Sequence, residues 1–149
     1  MKFALDTEFI DTPTASECIS LALVAGDGRE LYVEFAYPES EITPWLRKHV
    51  MPMLGNDKVS FPHAAALIRD FVGGSKFDPP EFWAYYAAYD WYWFCRLFGG
   101  FMQLPEFYPH RVLDFAGIQQ GVPSLFGREH HALNDAKSLM AAMKLRGLA

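Results

Sequence analysis

The chain has 149 residues, 51% of them apolar and 21% charged, and carries a formal charge of −5. A chain of this length buries about 68–70% of its extended surface in one domain, so it needs no disulfide or structural metal, and its composition excludes disordered and collagen-like chains. The acidic balance argues against coating nucleic acid through a broad basic surface but leaves open the gripping of a nucleic-acid end through bound cations.

Residues 2–9 read as a strand with Phe3, Leu5 and Thr7 on one face and Ala4, Asp6 and Glu8 on the other. Residues 18–25 are a continuous apolar run, as in a strand covered on both faces. Gly26-Asp27-Gly28 signals a hairpin into residues 30–37, where Leu31, Val33, Phe35 and Tyr37 alternate with Glu30, Tyr32, Glu34 and Ala36. The period then changes. Thr43-Pro44 opens a short helix that Pro52 ends, and Ser60 opens a second that stops at Gly73-Gly74. A strand is predicted at 82–87, a helix at 90–98 up to Gly99-Gly100, a fifth strand at 111–116, a loop at 117–129 and a last helix at 132–146. Three hairpin-type strands followed by strands separated by helices predict an α/β fold with a mixed five-stranded sheet, antiparallel then parallel, and helices packed on it. No repeat or linker divides the chain, so residues 1–149 form one expected domain.

Asp90 breaks the most apolar stretch and no run of 18 uncharged apolar residues exists, which predicts no membrane span. Only Phe3-Ala4-Leu5 precedes Asp6, too short for a signal-peptide core, and Cys18 and Cys95 cannot build a disulfide framework. The expectation is a cytoplasmic protein with free thiols.

Three acidic features stand out. Asp6 and Glu8, spaced by two on a strand, point the same way about 6.5–7 Å apart along the backbone. They are either a strand end that meets water or a pair that holds a divalent cation. Asp90, between Phe82–Tyr89 and Trp91–Cys95, is either the N-cap of the following helix or a site residue at the carboxyl end of a strand. The third feature is His130-His131-Ala132-Leu133-Asn134-Asp135. Asp135 shares a helix face with Leu139 and Ala142, whereas His130, five residues away, cannot share that face and belongs to the loop ahead, folding back over the carboxylate. His131 has no such geometric case and reads as a solvent-facing or packing residue.

In order and spacing these groups resemble the DEDDh 3′–5′ exonucleases, whose motifs are D-x-E, a lone aspartate at a strand–helix junction, and H-x-A-x-x-D. Here they stand as Asp6-Thr7-Glu8, Asp90, and His130 through Asp135. The resemblance runs from residue 4 to about 145 and implies a ribonuclease-H-like fold, most similar to the small stand-alone bacterial and phage exoribonucleases. It further implies that Asp6, Glu8, Asp90 and Asp135 hold two divalent ions, Mg²⁺ with Mn²⁺ as substitute, and that His130 is the general base in hydrolysis releasing nucleoside 5′-monophosphates from RNA 3′ ends. Thr7, Phe9 and Ile10, within or just after the first motif, are the implied contacts to the terminal nucleotide; core packing is the competing role for Phe9. DNA as substrate and a homodimer stay open under the same resemblance. Two departures are plain: Tyr85-Tyr86-Ala87-Ala88-Tyr89 lacks the asparagine that many relatives carry before the second motif, and 117–129 is a reduced lid.

Trp91, Tyr92 and Trp93 are core residues or line the groove beside Asp90, and Lys137, Lys144 and Arg128 are candidate phosphate contacts or solvated charges. The rival readings are a haloacid-dehalogenase-type phosphatase, which needs an aspartate where Glu8 stands, a ribonuclease-H-type endonuclease, and a non-catalytic nucleic-acid-binding domain.

Overall fold

The computed structural model describes all residues from Met1 to Ala149. Strands β1 (Lys2–Asp11), β2 (Ser16–Ala25), β3 (Glu30–Glu34), β4 (Glu81–Ala84) and β5 (Leu113–Asp114) form one sheet in the order β3-β2-β1-β4-β5. β1 pairs antiparallel with β2, β2 antiparallel with β3, and β1–β4 and β4–β5 pair in parallel. The helices are α1 (Pro44–His49), α2 (Phe61–Val72), α3 (Ala88–Leu97) and α4 (Ala132–Leu145). This is the predicted mixed five-stranded sheet, consistent with a ribonuclease-H-like fold. No helix is long and apolar enough to cross a membrane.

Alternation along β1 decides what packs where. Phe3 and Leu5 face α2 and α3, and on the same side Phe82 of β4 lies 5.6 Å from Phe3 and 4.8 Å from Phe94 of α3, ring centre to ring centre. Each such buried side chain contributes about 1.5–3 kcal/mol. Ala4 faces the other way, and with Ala22 it meets Ala132, Ala136 and Leu139 of α4; small side chains on both elements let the helix lie close to the sheet. A third cluster, Ile10, Ile19, Ile42, Leu46 and Val50, seats α1 beyond the ends of β1 and β2.

The capping signals act as read. The Thr43 hydroxyl accepts from the Leu46 N–H at 3.2 Å, the Ser60 hydroxyl from the His63 N–H, and Gly73 leaves α2 at φ 56°. Three strands are shorter than predicted, β4 among them, which ends at Ala84 rather than residue 87. The β1–β2 register moves from Glu8 opposite Ser20 to Phe9 opposite Cys18, leaving Ile19 as a bulge. The Ile19 carbonyl instead accepts the Phe35 N–H at 2.9 Å, and β3 ends at Glu34. β5 holds only Leu113 and Asp114, because the Asp114 carboxylate accepts the Ala116 N–H at 2.9 Å and bends the chain into a 3-10 turn.

Candidate active site

β4 pairs with β1 only as far as Ala4 opposite Trp83. Beyond that point β1 continues paired with β2 alone, and its free edge opens the crevice at the carboxyl ends of parallel strands where such sheets place their sites. It also leaves the Thr7 N–H without a ladder partner, and a buried N–H must find one. Asp90 supplies it: one carboxylate oxygen accepts the Thr7 N–H at 2.9 Å and the Thr7 hydroxyl at 2.6 Å. Asp90 is buried, and Thr7 is 5% exposed.

This corrects two expectations. Asp90 does not cap α3, which begins two residues earlier with Ala87 as a cap that has no side-chain bond. The turn before α3, where Tyr86 sits at φ 57°, is held instead by Asp114, whose carboxylate accepts the Tyr86 and Ala87 N–H groups at 3.1 and 3.3 Å. Nor is Thr7 free to touch a nucleotide, because its hydroxyl is spent on Asp90. Ile10 is fully buried against α1 and is likewise no surface for a base.

On the opposite face of β1, Asp6 points into a cleft of about 250 Å³ that it shares with Tyr85, Val122, Ser124, Glu129, His130, Asp135, Ser138 and Leu139. His130 lies in the loop ahead of α4 at φ 65°, and its N–H donates to the Asp135 carboxylate at 2.9 Å. One ligand atom each from Glu8, His130 and Asp135 lies within 4.8 Å of the others. Acids from two distant stretches of chain, β1 and the start of α4, therefore meet here, and Asp90 joins β1 through its bonds to Thr7.

The electrostatics are those of crowded, half-buried acids. Burial, then the charges of Asp90, Glu8 and Asp135, hold Asp6 well above the ordinary carboxylate range. Burial and the Asp135 and Asp90 charges push Glu8 up to about 8. Burial lifts Asp90 to about 7 against the pull of the two Thr7 bonds, and lifts Asp135 against the His130 N–H. No lysine or arginine pairs with any of the four. The four carboxylates, without a basic partner, fit hard divalent cations such as Mg²⁺, and the site holds no thiolate of the kind that favours zinc.

Beside Glu8 a second cleft of about 280 Å³ is lined by Phe9, Asp11, Thr43, Trp45 and Leu46. Phe9 stacks on Tyr89 at 4.6 Å, and the Tyr89 hydroxyl donates to Asp11 at 2.7 Å. Trp45 and His49, one helical turn apart on α1, stack at 4.9 Å, and Trp45 meets the His130 ring edge-on at 4.7 Å. Sequence reasoning did not single out Trp45, His49 or Asp114. A tryptophan and histidine at i and i+4 on a short helix, and an acid ending a strand, were the available signals.

The remaining candidates lie elsewhere. Trp93 is buried, Trp91 stacks on Phe94 at 5.2 Å and Tyr92 is exposed; none of the three lines either cleft. Lys137 pairs with Glu30 at 2.8 Å, while Lys144 and Arg128 are exposed. His131 packs on Tyr32 with ring centres 4.7 Å apart.

A ribonuclease-H-like sheet with an acid-lined crevice at its parallel strand ends is the arrangement of an α/β hydrolytic enzyme. No family model matches the chain. It is, however, 31% identical over 155 residues to proteins named 3′–5′ exoribonuclease from two strains of Mycobacterium tuberculosis, covering 97% of this chain and 92% of each relative. The chain belongs to this 3′–5′ exoribonuclease family.

Proposed function

We propose that the chain is a DEDDh-type 3′–5′ exoribonuclease releasing nucleoside 5′-monophosphates from RNA ends. The observation that carries the reading is the approach of Glu8, His130 and Asp135 to within 4.8 Å, with Asp6 in the same cleft as His130 and Asp135, Asp90 bonded to Thr7 between Asp6 and Glu8, and no lysine or arginine paired with any of these acids. Asp6, Glu8, Asp90 and Asp135 would hold two divalent ions. Bound there, the ions supply Lewis-acid stabilisation of the attacking and leaving oxygens.

The chain's own residues do the rest. The His130 ring accepts the proton of the attacking water as the new phosphorus–oxygen bond forms, the role of a general base. The bond from phosphorus to the 3′ oxygen of the preceding nucleotide breaks, that oxygen takes a proton from solvent water to become a 3′ hydroxyl, and the departing nucleotide keeps its 5′ phosphate. Thr7 holds the Asp90 carboxylate in place. Phe9 and Trp45 flank the cleft beside Glu8 and form the seat for the terminal base, where stacking contributes about 1–3 kcal/mol with little regard to base identity.

Digestion of 5′-end-labelled RNA and DNA oligomers with Mg²⁺ or Mn²⁺ tests this. The expected result is a ladder shrinking from the 3′ end, mononucleotide product, faster loss of RNA than of DNA, and an intact circular RNA. Asp6→Ala should lose more than about 100-fold in rate while still unfolding cooperatively. Full activity in that variant, or shortening from the 5′ end, overturns the proposal.

A further inference from the structure

Behind the acid cluster the sheet carries a second polar group. Glu8 on β1 lies opposite Ser20 on β2, and Ser20 opposite Glu34 on β3, so a row of polar side chains crosses the sheet face under the start of α4. Glu34 is 4% exposed. Its carboxylate accepts the Tyr32 hydroxyl at 2.8 Å and the Gly55 N–H at 2.8 Å, and it pairs with Lys58. A buried ion pair of this kind is a weak source of stability, because desolvation offsets the attraction. What it does fix is the orientation of the Tyr32 ring, and on that ring His131 is stacked at 4.7 Å with 29° between the planes.

His131 is the link between His130 and the first residue of α4. Its Nδ1 is buried with no hydrogen-bond partner, so the stack is what seats the ring. The neighbouring bonds tie the loop to α4 itself: Leu125 N–H to the Ser138 hydroxyl at 3.1 Å, the Asn134 side-chain amide to the Arg128 carbonyl at 3.1 Å, and His130 N–H to Asp135. The His131–Tyr32 stack ties the same segment to the sheet. It is adjacent to the left-handed residue that carries the acting imidazole.

We infer that Tyr32, held by Glu34 and Lys58, is a positioning residue for His130: through His131 it fixes the turn that sets the His130 ring beside Glu8 and Asp135. The inference rests on the reading of His130 as the proton acceptor. It is tested by steady-state kinetics on a short RNA with Mg²⁺, using Tyr32→Ala, Tyr32→Phe and His131→Ala in wild-type and His130→Ala backgrounds, with melting followed in parallel. Tyr32→Ala should lower kcat on the order of 10- to 100-fold at nearly constant KM, the effect of a small misplacement of a reacting group. Tyr32→Phe keeps the stacking ring but loses the bond to Glu34, and should recover only part of the rate. His131→Ala, which cuts the stack from its half-exposed side, should match Tyr32→Ala and serves if that variant does not fold. In the His130→Ala background neither alanine should cost anything further. Equal fold-losses in both backgrounds, or an unchanged kcat for both alanine variants, overturn the inference. A fully active His130→Ala instead overturns the reading of His130 on which it stands.

Discussion

The two halves of the site are held by different means. The acids of the first two motifs sit on β1 and in the first turn of α3, where the backbone is fixed by the β2 ladder and the junction is closed by the paired Thr7–Asp90 bonds and by Asp114 across the turn. His130 hangs from a mostly exposed segment without regular structure, fastened by single bonds to Ser138, Asn134 and Asp135, by Tyr85 at Gly121, and by ring contacts to its neighbours. Repelling carboxylates need a scaffold that cannot relax away from them, whereas a proton acceptor needs placement rather than restraint against a large force. The division follows from what each group must withstand.

The strain on the acid half has a measurable sign. Glu8 is raised from 4.5 to about 8 and Asp90 from 3.8 to about 7. The folded state therefore binds protons more tightly than the unfolded chain, and this contribution to stability is fully present below the unfolded values and lost as pH climbs through the folded ones. Without divalent ions, Glu8→Gln should match wild type near pH 4.5 and melt progressively higher than wild type as pH rises to about 8. Saturating Mg²⁺ should raise wild-type melting at pH 8 and narrow or invert that gap, since a ligand bound only by the folded state stabilises it. A gap that does not change with pH means the crowding of charge is relieved some other way.

Next in size is the junction. Thr7→Val keeps the shape and the backbone bond but removes the hydroxyl from a buried carboxylate, a charged hydrogen bond worth about 1.5–3 kcal/mol. Chemical unfolding above pH 7, with Asp90 ionised, should show this loss, and carboxyl titration should place Asp90 above its wild-type value of about 7. An unshifted Asp90 would mean that the Thr7 N–H alone holds it.

How much of this was legible beforehand tracks the same division. The first two strands and the caps at Thr43 and Ser60 follow local rules of alternation and capping, and the structure puts them where those rules do. Phe9 was open between core and cleft, and it does both, stacking on Tyr89 while lining the space beside Glu8. The roles of Thr7, Asp114 and Trp45 depend on where β4 stops, on a turn 28 residues from Asp114, and on the seating of α1 beyond the strand ends. Those are facts of tertiary packing with no local period to announce them. Glu34 shows the limit most clearly: alternation puts it on the polar face of β3, and only the approach of Gly55 and Lys58 makes that face an interior.

The smallest expected effect lies in the loop. Ser138 is buried, and its hydroxyl accepts the Leu125 N–H, so Ser138→Ala strips one neutral bond and should cost about 0.5–1.5 kcal/mol. Because that bond fastens the segment rather than the sheet, the loss should appear locally. Hydrogen exchange should quicken for amides in 124–131 while those of β1 and α3 keep their protection, and the Asp90 titration should not move. Exchange that quickens equally in β1 would show that loop and junction open as one unit, and the contrast between a braced acid platform and a separately fastened histidine would fail.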